Sequence, residues 1–327
     1  MNLVGHTDTK GQIAIAMKAA KKRNMAMPHM LFSGLAGCGK TSMAQEIALI
    51  SKCNFLSVIS TNIRTHEDII HLIEKMNHCN YNEQGDRIGT IYPTILFLDE
   101  VHQMPSLGQE ILGLVMERFI LDTGQPNKFY WAPYFTVIGA TTDDGKLNKP
   151  FRERFKLRFI FEQYSLNEIL KIVEMYSKKL NMVITNNSAI AIAKRSKGIP
   201  RIAVGYVERM RDFLLATDKK LANSTLTEVL FKKLKIDEEG LTVTERKLLK
   251  VLYDAKTPIG IDNLAMILNE SPKNLVGAIE PFLMQKGFIT RNNKGRSITK
   301  IGSNYIKHID NSVEKEKSEI TMDYIRK

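Results

Sequence analysis

Three features of the 327-residue sequence predict an α/β doubly wound parallel sheet followed by two smaller, mainly helical domains. Short β-rich runs at residues 30–33, 54–59, 94–98 and 134–139 alternate with helical segments. Amphipathic helical patterns then recur at 166–179, 188–196, 202–215 and 226–234. After Leu241, three further helical patterns lead into a basic hairpin at 287–299. The expected domains are therefore 1–158, 159–238 and 239–310, with Lys235-Ile-Asp-Glu-Glu-Gly240 as a polar break and 311–327 as a charged tail. The length allows each domain its own core.

Composition narrows the partners. A net charge of +12 and a pI of about 9.4 favour a polyanion, most simply nucleic acid. Cys38, Cys53 and Cys79 share no metal-ligand spacing, and their odd number makes no disulfide framework, which suits a reducing cytosol. The N-terminus turns polar within four residues, and no apolar run approaches the ~20 residues that span a bilayer. A cytoplasmic protein with no membrane segment and no secretory leader is expected. There is no internal repeat. His66, His71 and His78 have no acid or cysteine cluster at ligand spacing, so no metal is expected there.

The first strand and helix enclose Gly34-Leu-Ala-Gly-Cys-Gly-Lys-Thr41, the pattern G-x-x-x-x-G-K-[ST] in its required strand-to-helix setting. Gly34, Gly37 and Gly39 let backbone N–H groups curl around a polyphosphate. The helix start at Lys40, Thr41 and Ser42 adds its partial positive charge. Lys40 reaches the β- and γ-phosphates, and Thr41 is a Mg²⁺ ligand. Thr94-Ile-Leu-Phe-Leu-Asp-Glu100 reads as a strand buried on both faces that ends in two acids. Asp99 is expected to hold Mg²⁺, leaving Glu100 to orient or deprotonate water at the γ-phosphorus of ATP.

A third buried strand ends in Thr141 and Thr142, either of which is placed to contact the γ-phosphate or the water. Pro150-Phe-Arg-Glu-Arg-Phe155 presents Arg152 and Arg154 among aromatics. Alone, such a pair is more often a solvated surface; behind the preceding motifs it reads as an arginine finger for a neighbouring subunit. Gly198-Ile-Pro-Arg201 is a turn that delivers an arginine to a helix start.

In this order the motifs resemble the phosphate loop, acidic motif, first sensor, arginine finger and second sensor of the AAA+ ATPases. Lys18-Ala-Ala-Lys-Lys-Arg-Asn24, Asp99-Glu-Val-His102, Arg201-Ile-Ala203 and Arg209-Met-Arg-Asp212 resemble, more closely, the RuvB family of Holliday-junction branch-migration motors. So do Arg246-Lys-Leu-Leu249, Gly260-Ile-Asp-Asn-Leu-Ala265, Glu280-Pro-Phe-Leu-Met-Gln-Lys-Gly-Phe288 and Arg291-Asn-Asn-Lys-Gly-Arg296, which follow that family's winged-helix domain. The resemblance runs from about residue 3 to 302. It implies an AAA+ domain, a helical lid and a winged helix. Lys40 and Thr41 would contact phosphates and Mg²⁺, Asp99 the metal and Glu100 the lytic water. Thr142 or Thr141 would sense the γ-phosphate, Arg154 would be the finger with Arg152 in reserve, and Arg201 the lid sensor. It further implies a hexameric ring around duplex or junction DNA and a RuvA-like junction-binding partner. A clamp or helicase loader, and a non-catalytic ATP-controlled DNA-binding regulator, are the alternative functions.

Three segments depart from the family pattern. Family members usually carry an extension ahead of the equivalent of Val4-Gly5 that helps enclose the adenine, and this sequence starts near that point. The 121–133 loop looks shorter than the hairpin that engages RuvA, and 77–93 looks like an insertion. In that loop Trp131, beside Tyr130 and Tyr134, either stacks on a partner or packs the hairpin base.

Between Lys286 and Lys307 lie six basic residues and no acid. Arg291, Lys294 and Arg296 are expected on a basic turn that touches DNA phosphates with little regard to sequence. A winged helix also serves protein contacts, and that reading stays open. Cys38, inside the phosphate loop, is expected to be a reactive thiol whose pKa Lys40 and the loop N–H groups lower.

Overall fold

The computed structural model describes residues 3–78, 93–122 and 129–309. Most of the 77–93 segment and the 311–327 tail lie outside the described residues. The chain folds as two compact units: Met1–Tyr176 with Gly198–Gly205, and Ser177–Lys197 with Tyr206–Lys327.

In the first unit, α1 (Thr7–Arg23) ends on Asn24 in the left-handed conformation, whose N–H closes back onto Ala20 and Lys21 carbonyls. There follow β1 (Met30–Gly34), α2 (Lys40–Ser51), β2 (Asn54–Ile59) and α3 (His66–His78). Next come β3 (Thr94–Asp99), α4 (Ser106–Arg118), the antiparallel pair β4 (Ile120–Asp122) and β5 (Phe129–Trp131), and then β6 (Phe135–Thr141), α5 (Lys149–Glu153) and β7 (Leu157–Phe161). Five strands form one parallel sheet in the order β2-β3-β6-β1-β7. Burial explains their sequence signatures. β6 is buried at every position and β3 at all but its last, as expected for central strands covered on both faces, whereas at the edges β2 has no buried position and β7 alternates. That alternation hid β7 in the basic 149–158 stretch, and the expected domain boundary at 158 falls inside it.

β6 lies between β1 and β3, in register Ser33↔Thr141 and Leu98↔Gly139. Because the sheet is parallel, the ends of β1, β3 and β6 meet along one edge. The phosphate loop, the acid pair and Thr141-Thr142 are thereby neighbours. Beneath them Leu96, Leu98, Phe135 and Val137 pack with Ile69 and Ile73 of α3 and Ile111 and Val115 of α4.

Helices α6 (Leu166–Lys179) and α8 (Pro200–Ala216) each have residues in both units. The second unit continues with β8 (Val183–Ile184), α7 (Asn186–Arg195), β9 (Leu221–Ala222) and α9 (Ser224–Leu234). Thr185 caps α7 and Asn223 caps α9 through their side chains. The winged helix follows: α10 (Val243–Ala255), α11 (Ile261–Leu268), α12 (Pro272–Asn274), α13 (Glu280–Gln285), β10 (Ile289–Asn292) and β11 (Gly295–Ile298), closed by a helix over 300–309. Helical structure over 272–285 is interrupted by a π turn, Leu275–Ile279, just ahead of Pro281. Proline has no N–H for the α-helical ladder, so the register shifts there.

Within the second unit, ion pairs and hydrogen bonds cross the polar break at 235–240. Lys197 pairs with Glu245, nearly buried, at 2.5 Å and 2.6 Å. Glu245 also completes the capping box of α10 with Thr242. Asp237 takes Arg246 at 3.2 Å and the Tyr305 hydroxyl on one oxygen and the Leu241 N–H at 2.8 Å on the other.

Candidate active site at the phosphate loop

The loop's shape follows from its glycines. Gly37 and Gly39 hold φ of 84° and 88°, where side chains are strained. Space forbids them too: a Cβ on Gly37 would meet the Arg201 Cβ at 2.9 Å, and one on Gly39 the Tyr164 hydroxyl at 2.9 Å. From Gly39 the chain enters α2, whose first helical bond is Met43 N–H to the Gly39 carbonyl at 2.9 Å. The N–H groups of Lys40, Thr41 and Ser42 therefore lack partners within the helix, as an anion site requires.

Lys40 is only 6% exposed. Its ammonium donates to the Gly34 carbonyl at 2.7 Å and the Leu35 carbonyl at 2.9 Å, leaving one of three hydrogens for a phosphate. Burial lowers the Lys40 pKa, and the charges of Glu100, Cys38 and Asp99 oppose that fall.

At the end of β3 the Asp99 carboxylate accepts the Glu100 N–H at 3.1 Å, and the Asp99 carbonyl accepts the Ser60 hydroxyl at 2.6 Å. Glu100 stands in the left-handed region, φ 45°. Its Oε2 accepts the exposed Thr142 hydroxyl at 3.0 Å and lies 3.2 Å from His102 Nδ1. Thr141 is fully buried, with its hydroxyl oxygen engaged by Asp143 N–H at 3.0 Å and His102 at 2.9 Å. Of the two threonines, Thr142 is the one with access to a ligand.

Arg201 comes to the same place: its backbone N–H points to the Gly37 carbonyl at 3.4 Å. Arg154 does not. It pairs with Glu117 of α4 at 2.9 Å and lines a cleft of about 450 Å³ between α4 and α5 with Ser106, Asn148 and Lys149. Arg152 lends its carbonyl to Arg158 at 2.9 Å, while its own Nε is buried without a partner.

Two expectations are corrected. The Cys38 thiol is fully buried, and burial raises its pKa, outweighing the downward pull of Lys40 and Arg201. It is not a reactive thiolate. Arg296 is not on the basic turn with Arg291 and Lys294, which are exposed. It is 7% exposed, donating to Glu280 Oε1 at 2.6 Å and Oε2 at 3.2 Å. β11 is the inner strand of the hairpin, since Arg296 also exchanges both backbone bonds with Ile259 at 2.9 Å.

The sequence reading assigned no role to His6, His102 or Tyr164. His6 packs its ring 4.5 Å from Phe161 and 4.8 Å from Tyr164, with Nε2 3.3 Å from the Cys38 carbonyl. His102 closes the Asp99-Glu-Val-His102 motif, and nothing local marks it as a partner of Glu100. Among the described residues no group of His, Cys, Asp and Glu forms a metal cluster. The hydroxyl of Thr41 and the carboxylate of Asp99 are hard oxygen donors beside a phosphate cradle, which suits Mg²⁺ shared with a nucleotide. No helix among the described residues is long and apolar enough to cross a membrane.

A glycine cradle, a buried lysine, an acid pair and a threonine-tipped strand between them define a P-loop ATPase of the AAA+ class. Three family models match consecutively: the Holliday junction DNA helicase RuvB P-loop domain over residues 1–160, the RuvB AAA lid domain over 164–237 and the RuvB C-terminal winged helix domain over 238–307. The Holliday junction branch migration complex subunit RuvB of Campylobacter lari is 35% identical over 301 residues, 90% of this chain and 85% of that protein. That of Orientia tsutsugamushi is 33% identical over 318 residues, 94% of this chain and 92% of that protein. The solved Thermotoga maritima RuvB Holliday junction branch migration motor aligns with TM-score 0.79 at 29% identity, covering 93% of this chain and 95% of that one. The chain belongs to the RuvB family.

Proposed function

We propose that the protein is a cytoplasmic Mg·ATP-dependent motor that assembles as a hexameric ring, moves duplex DNA and drives Holliday-junction branch migration. The observation that carries the ATPase is Glu100, held by Thr142 at 3.0 Å beside the phosphate loop. Lys40 and the first N–H groups of α2 bind the triphosphate. Glu100 takes a proton from water as the water oxygen bonds to the γ-phosphorus; the bond to the β-phosphate oxygen breaks, and its electron pair leaves with ADP. Thr41 and Asp99 would hold Mg²⁺, which would supply charge neutralisation at the phosphates. Arg201 reads the nucleotide from the start of α8, and Arg154 serves a neighbouring subunit.

The relatives are named as subunits of a branch migration complex, and a RuvA-like partner would meet the β4–β5 hairpin. Phe129 and Trp131 are 52% and 71% exposed there, while Tyr130 between them packs into the core. Phosphate contacts to DNA are assigned to Arg291 and Lys294.

The test is displacement of labelled arms from a synthetic four-way junction by the wild-type chain and Glu100→Gln, with and without a RuvA-like protein. Wild type should displace arms with Mg·ATP. Glu100→Gln should bind ATP yet lose about 10²-fold or more of hydrolysis and displacement together. Hydrolysis that needs a ring-shaped protein partner and displaces no junction would overturn the motor in favour of a loader.

A further inference from the structure

His102 sits in the turn after the acid pair with 11% of its side chain exposed. Its Nδ1 lies 2.9 Å from Thr141 Oγ1 and 3.2 Å from Glu100 Oε2. The tautomer follows from these neighbours. A lone pair on Nδ1 would face a carboxylate oxygen and be repelled, so Nδ1 carries the hydrogen; it donates to Thr141 Oγ1 and turns the electropositive edge of the ring toward Glu100 Oε2, 3.2 Å away. Thr141 Oγ1 is itself pinned by Asp143 N–H at 3.0 Å. The imidazole therefore reaches Glu100 from a fixed point on the end of β6. Thr142, the next residue, grips the same oxygen at 3.0 Å.

We propose that His102 is a positioning residue for hydrolysis: with Thr142 it clamps Glu100 Oε2, leaving Oε1 as the oxygen that accepts the proton of water. The clamp has a purpose. Glu100 is a three-torsion side chain one-third exposed at a strand end, and without donors on one oxygen its carboxylate would sample rotamers that point away from the water. Its left-handed backbone is a conformation held at some cost in a non-glycine residue, as at other sites where a side chain must be aimed. The inference rests on the reading of Glu100 as the base.

The test compares His102→Asn with His102→Leu. These side chains have nearly the same shape, but only asparagine places an N–H donor near the Nδ1 position. Single-turnover ATP hydrolysis and fluorescent-nucleotide affinity are measured for both, alone and in a Glu100→Ala background. His102→Leu should slow hydrolysis about tenfold to a hundredfold with nucleotide affinity unchanged, and His102→Asn should recover most of that loss. In the Glu100→Ala background the two should hydrolyse at the same residual rate, because His102 acts only through Glu100. Equal rates for the two variants beside an intact Glu100, or an equal loss in both backgrounds, would overturn the clamp while leaving Glu100 as the base. Wild-type turnover by Glu100→Ala itself would overturn the base reading, and the clamp with it.

Discussion

At the scale of single residues, two partly buried histidines make the first unit sensitive to acid. His29 donates from Nε2 to the Met116 carbonyl at 2.9 Å and accepts the Val137 N–H on Nδ1 at 2.9 Å. A second proton on the ring would collide with that N–H. Burial lowers the pKa of His29 below the ordinary 6.5, and burial likewise lowers that of His6. The folded state thus binds fewer protons than the unfolded state just below pH 6.5. The stability from keeping both rings neutral is complete above 6.5 and is lost as pH falls through the lowered folded values. The melting temperature should drop from pH 7.5 to 5 for wild type. His29→Leu should start lower, having lost two hydrogen bonds, but decline less steeply; parallel slopes would remove His29 from the response. Residues such as these were illegible in the sequence. The glycines, Lys40, Asp99 and Glu100 were legible because each belongs to a short motif whose chemistry needs that spacing. His29 and His102 take their properties from strand residues 108 and 39 positions away, and Cys38 from depth of burial, which no local pattern encodes.

Elements show the same division. The central strands were readable as unbroken apolar runs, and the winged-helix hairpin as a basic turn between two β-like stretches. Which strand of the hairpin lies inward was not readable, and Arg296 turned on that point. Its two-pronged pair with Glu280, both nearly buried, implies that removing one partner leaves an uncompensated charge. Arg296→Ala should destabilise the second unit by about 3–5 kcal/mol, whereas Arg296→Met with Glu280→Leu should recover most of that in urea titrations. Arg291 and Lys294, exposed on the same hairpin, should behave oppositely. Replacing both by alanine should leave stability unchanged and flatten the slope of log affinity against log salt by about two units on any duplex. If the slope stays put while binding to a protein partner is lost, the hairpin is a protein adaptor rather than a DNA contact.

On the scale of the whole molecule, the proposed finger stands apart from the other site residues of its own chain. Lys40, Asp99, Glu100, Thr142 and Arg201 gather around the phosphate loop, but Arg154 pairs with Glu117 on the α4–α5 cleft, its side chain still one-third exposed. An arginine in that setting can exchange a surface carboxylate, worth little in water, for the phosphates of a neighbour's nucleotide. Arg154→Ala should then retain nucleotide affinity in each subunit while losing about 10³-fold or more in hydrolysis by the ring. Mixing separates action on the neighbour from action at home. An Arg154→Ala subunit keeps a sound phosphate loop but offers no finger, and a Lys40→Ala subunit keeps the finger but cannot use ATP. Each is inactive alone. In co-assembled rings the sound loop of the first meets the arginine of the second, so hydrolysis should reappear and peak at intermediate mixing ratios. Mixed rings that are shown to form yet stay inactive at every ratio would place Arg154 outside the neighbour's site and leave Arg152, with its buried and unpartnered Nε, as the arginine to test next.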